Sequence, residues 1–498
     1  MPLDPACTPD VPDLDHLDLE RLRRRRGEKW QQYPPDVLPA WVAEMDFPLA
    51  APIRRVLEEA LACDDLGYPI NPRPQDLPSV FAARMQQRFD WNIDPQRVVV
   101  LTDVVQGIYV ALDRFAAAGE GVIVQTPVYP PFLHAVRDTG RRLVENPLVE
   151  APDPAAAECA ARWEIDFDGL REAVDAGTRV LLLCHPQNPT GRVFVRRELE
   201  ALAELVLRQD LIVVSDEIHA DLVYSPGQHL PFAALAPEIE ARTITLTSAT
   251  KAFNIPGLRC AVAHCGSAEL QQRFESLPGH IRGGIGSLGL AATEAAWSRS
   301  QPWLDAVLRY LDGNRVFVAE RIAKELPDVR FRPPEASYLG WLDCRALDLG
   351  SSPQRWFLEH ARVALSAGKP SGGPVGDSSG STSRRRGPCS ARSSRAWPAR
   401  CASATRDSLA PTMPLQIRDP EVFGVTHDSV TIGSRVEDDA GSVAASGKSI
   451  EVAGVGAAFV KGDIADRGLP EPFAWARALR ALRRWQLPAA CAVARRRR

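Results

Sequence analysis

The chain has 498 residues, 45% of them hydrophobic, and a formal net charge of −4, enough for two to four domains and a large buried core. Such balanced charge gives no global field for nucleic acid or for basic partners. Ten scattered cysteines without a C-x-x-C pair point to neither a zinc site nor a disulfide framework. No metal site is expected, and a reducing cytoplasm fits this cysteine usage.

The N-terminal stretch has no apolar core after a basic start, and no later run approaches the length of a membrane span, so no membrane association is expected. The basic run at 23–26 reads either as a binding patch or as the solvated face of a helix. From about 50 to 345 helical patterns alternate with short β-branched runs, "RVVVLT", "GVIVQTP", "RVLLLCHP", "LIVVSDE", "TITLTSA" and "CAVAHC". Runs that are apolar on both faces and separated by helix-length segments predict an α/β domain with a mostly parallel sheet covered by helices. From about 286, "LGLAATEAAWSRSQPWLDAVLRYLDGNRVFVAERIAKEL" carries apolar positions at helical spacing and leads into "SYLGWLDC", a predicted strand. After 370 both periodicities vanish. From 412 the chain alternates as exposed strands do, and its end is basic and low in information.

Lysine usage singles out one residue. Arginine is abundant, yet Lys251 is the single lysine between Lys29 and Lys324. A chain that avoids lysine and keeps one just beyond a strand either needs an amine there, since guanidinium does not readily form a Schiff base, or carries an ordinary surface lysine. "HPQNPTGRVF" places Asn188 in a turn after an apolar strand, where its amide can donate to a ligand oxygen. Asp216 ends another buried strand in "VVSDEIHADLVY", and a buried carboxylate requires a cationic partner such as a protonated pyridine nitrogen. In "TDVVQGIYVALDRF" a strand runs into a helix whose first N–H groups can hold a phosphate. "QTPVYPPF" offers Tyr129 as a flat stacking face.

Taken together, the order NPTG, SDEIH and S-x-x-K resembles the fold-type I pyridoxal-phosphate enzymes of the class I/II aminotransferase superfamily. "LPAWVAEMDFPLAAPI", "GYP", "TPVYPPF" and "TKAFNIPGL" are similar to its subgroup of cystathionine β-lyases, carbon–sulfur lyases and maltose-regulon modulators. The resemblance covers roughly residues 28–369 and implies a three-layer α/β sandwich, a smaller α/β C-terminal domain, and pyridoxal 5′-phosphate as cofactor. It implies that Lys251 makes the covalent link to the cofactor and later shuttles a proton, and that Asp216 keeps the pyridine nitrogen protonated. Asn188, together with His219, would contact the ring hydroxyl, and Tyr129 would stack on the ring. Ser248, Arg259 and the backbone at Val105 and Gln106 would hold the phosphate. Tyr68 would reach the active site of a second subunit in a homodimer; for Tyr68 and His219 a packed aromatic and a satisfied core histidine are the alternatives. Domains follow as 1–50, an N-terminal segment serving the active site and dimer; 51–285, the large cofactor domain; 286–370, an incomplete small domain; and 371–498, an out-of-frame or disordered tail.

The implied reaction is β-elimination of a thiol from cystathionine or another cysteine S-conjugate, leaving pyruvate and ammonia. Transamination of an amino acid uses the same core residues and is the alternative; a non-catalytic regulator and an inactive remnant are the others. The resemblance also calls for a glycine-rich turn and a strand like F-V-R-L-N-F after "ARVALSAGK", whose arginine would grip a substrate carboxylate. The chain has "SSGSTSRRRGPCSARSSRAWPARCASAT" instead. Codons permitted for residues 377–389, read from the third base of the first, encode F-V-R-L-N-F-A-T-S-R-P-V. In the same register through residue 401 they permit an amphipathic helix. A single-base shift between about 368 and 377 is therefore expected; on that expectation the arginines at 384–386 carry no function, and the chain as written is poorly active.

Overall fold

The computed structural model describes residues 17–69, 77–152, 161–347, 352–372 and 412–414, together with Leu14 and Leu349. In chain order the elements that position the site begin with β1 (Leu38–Ala40), α1 (Ala51–Ala62), α2 (Leu77–Phe89), β2 (Val98–Leu101), α3 (Val104–Phe115) and β3 (Gly121–Thr126). They continue with α4 (Pro130–Asp138), β4 (Arg142–Pro147), β5 (Thr178–Cys184), α5 (Arg196–Arg208), β6 (Ile212–Asp216), β7 (Thr243–Thr247) and β8 (Ala261–Cys265). After these come α6 (Ser287–Arg299), α7 (Gln301–Glu325), β9 (Leu339–Asp343), β10 (Val363–Leu365) and β11 (Thr412–Pro414).

All six apolar runs are strands of one seven-stranded sheet, ordered β2-β8-β7-β6-β5-β3-β4. Neighbours are parallel except β8, which is antiparallel to both β2 and β7. The pleat explains why these runs are continuously apolar. Val180, Leu182 and Val214 face one core, shared with Ile108 and Leu112 of α3 and Phe132 and Val136 of α4. Leu181, Leu183 and Val213 face the opposite core, with Leu199, Leu202 and Val206 of α5. Helix, sheet and helix therefore form three layers, and each fully buried aliphatic side chain contributes roughly 1.5–3 kcal/mol.

Packing does not change over at residue 286. α6 lies on α1 and α2, where Ala292, Ala295 and Trp297 share a core with Ile53 and Phe81. α7 starts in this core at Trp303 and Val307 and ends in another, where Val318 and Ile322 meet Leu342, Val363 and Leu365. β1 pairs in parallel with β10, Leu38 opposite Val363, so part of the N-terminal segment joins the smaller unit. β9, the strand read in "SYLGWLDC", pairs antiparallel with β11, Leu339 opposite Pro414. Of the tail read as out of frame from 371, residues 371–372 and 412–414 are described; the rest, with the remainder of the alternating stretch from 412, lies outside the described residues. Among the described residues no helix is long and apolar enough to cross a membrane.

Candidate active site

Ends of strands bring the site together. Cys184, Asp216 and Leu246 are register neighbours across β5, β6 and β7. The residues that follow them, Asn188, Asp216 with His219, and Ser248 with Lys251, therefore leave the sheet at one edge. β8 runs the other way, so its first residue, Ala261, lies opposite Leu101 at the end of β2. That register delivers Arg259 and the start of α3 to the same edge. Tyr129, three residues beyond the end of β3, occupies the position before α4. Carboxyl ends of parallel strands are where sheets of this kind bind ligands.

Asp216 is buried, and its Oδ1 accepts a hydrogen bond of 3.1 Å from the Ile218 N–H. Burial pushes its carboxyl up to about 7; the Ile218 bond pulls it down, the Glu217 charge adds to the rise, and Lys251 opposes it. Burial lowers the Lys251 amine, while the carboxylates of Glu44 and Asp216 hold it up. Lys251 Nζ donates to the Ala43 carbonyl at 3.0 Å, and the Tyr338 hydroxyl donates to the same oxygen at 3.0 Å. His219 is buried with Nδ1 unpartnered, and burial, with the Lys251 charge, drops it to about 3, so its ring stays neutral. That ring meets Tyr338 edge-on at 6.3 Å. The Asn188 N–H donates to Cys184 Sγ at 3.4 Å. Burial raises the Tyr129 hydroxyl, as do the charges of Asp216, Asp103 and Glu28.

At the α3 end, Ser248 caps the short helix carrying Lys251: its Oγ accepts from the Thr250 N–H at 3.1 Å and donates to the Cys260 carbonyl at 2.6 Å. Arg259 is ion-paired with Asp103. The other oxygen of Asp103 accepts the Gln106 N–H at 2.8 Å, capping α3. The Gln106 N–H, one of the two backbone groups expected at the phosphate, thus donates here to a carboxylate. Tyr68 stands apart, fully exposed on the segment after α1. The sequence reading missed Ala43, Asp103 and Tyr338. A carboxylate immediately before a helix is an N-cap signal that identifies Asp103.

The NPTG turn also supports Tyr338. Gly191 has φ of 69°, and a Cβ there would run into Pro334, so glycine is required. Its carbonyl accepts the N–H groups of Glu335 and Ala336, both at 2.9 Å. The Ser337 N–H donates to Leu222 at 2.9 Å, so the segment preceding β9 is stitched to both motif loops.

This sheet, with a half-buried lysine and a buried carboxylate that has no ion-pair partner among the described residues at its carboxyl edge, defines a fold-type I pyridoxal-phosphate enzyme. The profile of the family described as aminotransferase class I and II matches residues 52–375. Cystathionine beta-lyase PatB of Bacillus subtilis (strain 168) is 35% identical over 336 residues, covering 67% of this chain and 84% of PatB. Among solved structures, OvoB superposes with a TM-score of 0.65 at 38% identity, covering 70% of this chain and 89% of OvoB. The pyridoxal-phosphate-bound C-S lyase from Staphylococcus hominis gives 0.65 at 28% identity, covering 72% of this chain and 90% of that one. The chain belongs to the aminotransferase class I and II family, and its cofactor is pyridoxal phosphate.

The residues present fit that group. Asp216 makes no ion pair with a described residue, and its raised carboxyl is what a protonated ring nitrogen would relieve. Lys251, with its amine lowered by burial, suits an imine-forming nucleophile. His219 Nδ1 is a buried polar atom without a partner, available to a ring substituent.

Proposed function

We propose that this chain is a carbon–sulfur β-lyase acting on cystathionine or another cysteine S-conjugate, releasing thiol, pyruvate and ammonia. The observation that carries the reading is the combination of half-buried Lys251 with buried Asp216 in a chain 35% identical to a cystathionine beta-lyase over 84% of that relative's length. Bound pyridoxal phosphate supplies an electron sink conjugated to the substrate's α-carbon. Lys251, in its amine form, would take the α-proton; its Nζ is held by the Ala43 carbonyl at 3.0 Å. Asp216 would keep a proton on the ring nitrogen, Asn188 and neutral His219 would contact the ring hydroxyl, and Tyr129 would stack on the ring. Ser248, Arg259 and the backbone at Val105 and Gln106 would bind the phosphate. Tyr68 completes the site of a second copy in a homodimer, which its full exposure here supports. A cytoplasmic location is supported by the five described cysteines, all free thiols.

The test is to incubate enzyme with cystathionine or an S-alkylcysteine and assay pyruvate with and without a 2-oxo acid. A lyase needs no acceptor; strict dependence on one would make the enzyme an aminotransferase. Borohydride reduction and peptide mapping should label Lys251.

The frame shift between about 368 and 377 belongs to the same proposal. It is supported by the family match ending at residue 375. Resequencing across codons 366–406, with the mass of the C-terminal peptide, decides it: a peptide reading F-V-R-L-N-F supports the shift, and the chain as written sinks it.

A further inference from the structure

The short helix carrying Lys251 is followed by Asn254, whose φ of 56° lies in the left-handed region, where asparagine is among the few tolerated residues. Held in that conformation, its carboxamide grips the backbone of Met45 from both sides. Oδ1 accepts the Met45 N–H at 2.7 Å, and Nδ2 donates to the Met45 carbonyl at 2.7 Å. Two residues earlier in the same segment is Ala43, whose carbonyl takes Lys251 Nζ and the Tyr338 hydroxyl. A carbonyl oxygen has two lone pairs, and both are used. The segment is anchored on its other side through Asp46, which accepts from Lys29 Nζ at 2.6 Å and Trp30 Nε1 at 2.9 Å. Met45 and Phe47 are buried in the core. The Lys251 helix thus grips, through Asn254, the segment that supplies the acceptor for its own lysine.

We infer that Asn254 is a positioning residue that, by clamping Met45, fixes the Ala43 carbonyl as the acceptor that aims the Lys251 amine, with Tyr338 competing for the same oxygen. The inference rests on Lys251 being the reacting amine. The charged or titratable groups facing that amine are Glu44, Asp216 and His219. A carbonyl acceptor stabilises the ammonium form over the amine, so the two neighbours act with opposite sign: loosening Ala43 makes Lys251 more acidic, and removing the Tyr338 hydroxyl makes it less acidic.

The experiment follows the rate at which added pyridoxal phosphate becomes linked to Lys251 in the full-length chain, by cofactor absorbance as a function of pH. Asn254→Gly keeps the left-handed backbone accessible and removes the clamp. It should lower the midpoint of that profile by about half a pH unit and cut kcat about tenfold, with KM within about threefold. Tyr338→Phe, which leaves Asn254 in place, should raise the midpoint. Midpoints that stay put while Tm drops would make Asn254 a purely structural clamp and overturn the inference; so would both variants moving the same way. Mapping of the reduced cofactor to a residue other than Lys251 would overturn the Lys251 assignment together with this inference. Peptide mapping therefore tells that failure apart from failure of the Asn254 inference alone.

Discussion

Arg259 and Asp103 are ion-paired where the ends of β2 and β8 meet, and Asp103 also caps α3 through the Gln106 N–H. A phosphate at this helix start must share it with a carboxylate and draw Arg259 away from its present partner. The first turn of a helix attracts anions, but two anions in one place repel. Asp103→Asn keeps an N-cap of equal quality and removes the charge. It should lower the dissociation constant for pyridoxal phosphate about tenfold at moderate ionic strength, read by equilibrium absorbance titration. Unchanged or weaker affinity would sink the idea.

Asp216 links stability to pH. Its folded-state carboxyl sits at about 7 against an ordinary 3.8, so the folded chain binds the proton more tightly than the unfolded chain does. The resulting stabilisation is complete below about 3.8 and disappears as pH rises through about 7. Cofactor-free protein should therefore lose up to about 3 kcal/mol between pH 5 and 8 relative to Asp216→Asn. Urea denaturation at both pH values measures it, and parallel pH slopes for the two proteins would refute it. Cofactor should reverse the loss, because a cationic ring nitrogen stabilises the ionised carboxylate.

How much of this was legible in the sequence depends on whether the signal was local. Each strand of "VVSDE" type announces itself by apolar residues on both faces, and the motif residues at its end share its register, so Lys251, Asp216 and Asn188 were readable. The reversal of β8 was not, because an antiparallel strand buried on both faces has the same apolar texture as a parallel one. Ala43, Asn254 and Tyr338 escaped for another reason: Asn254 and Met45, like Tyr338 and Ala43, are more than two hundred residues apart in sequence. An alanine carbonyl leaves no trace in composition. Asp103 was readable as a cap, yet attention to the helix N–H groups obscured that one of them was already taken.

Glu217 carries a buried network beside the site. Its carboxylate accepts from Ser215 Oγ at 2.8 Å and the Phe232 N–H at 3.1 Å, and bonds His229 Nε2 at 2.8 Å. Glu217→Gln places an NH2 group among these partners and should cost about 2–4 kcal/mol. It also removes a charge that raises Asp216, so the pH-dependent loss described above should move to lower pH. Denaturation across pH 5–8 reads both effects. A destabilised variant whose pH profile stays put would separate the network from Asp216.

The pair Arg84–Asp221 tests the scaffold rather than the chemistry. Arg84 Nη2 and Nε reach the two carboxylate oxygens of Asp221 at 2.7 and 3.2 Å, and Nη1 donates to the Trp297 carbonyl at 3.3 Å. The pair thus joins α2, the loop after β6 and α6, the three pieces that close the core beneath the lysine helix. Both groups are buried, so Asp221→Ala leaves a guanidinium without its counter-charge and should cost about 3–5 kcal/mol. Replacing both by apolar residues, Arg84→Met with Asp221→Leu, removes the orphan charge and should recover most of that loss. Chemical denaturation of the three proteins decides between a pair held for stability and one held for alignment. If the double variant is stable but its cofactor affinity falls, alignment is the function of the pair; if both return together, the pair only offsets its own burial.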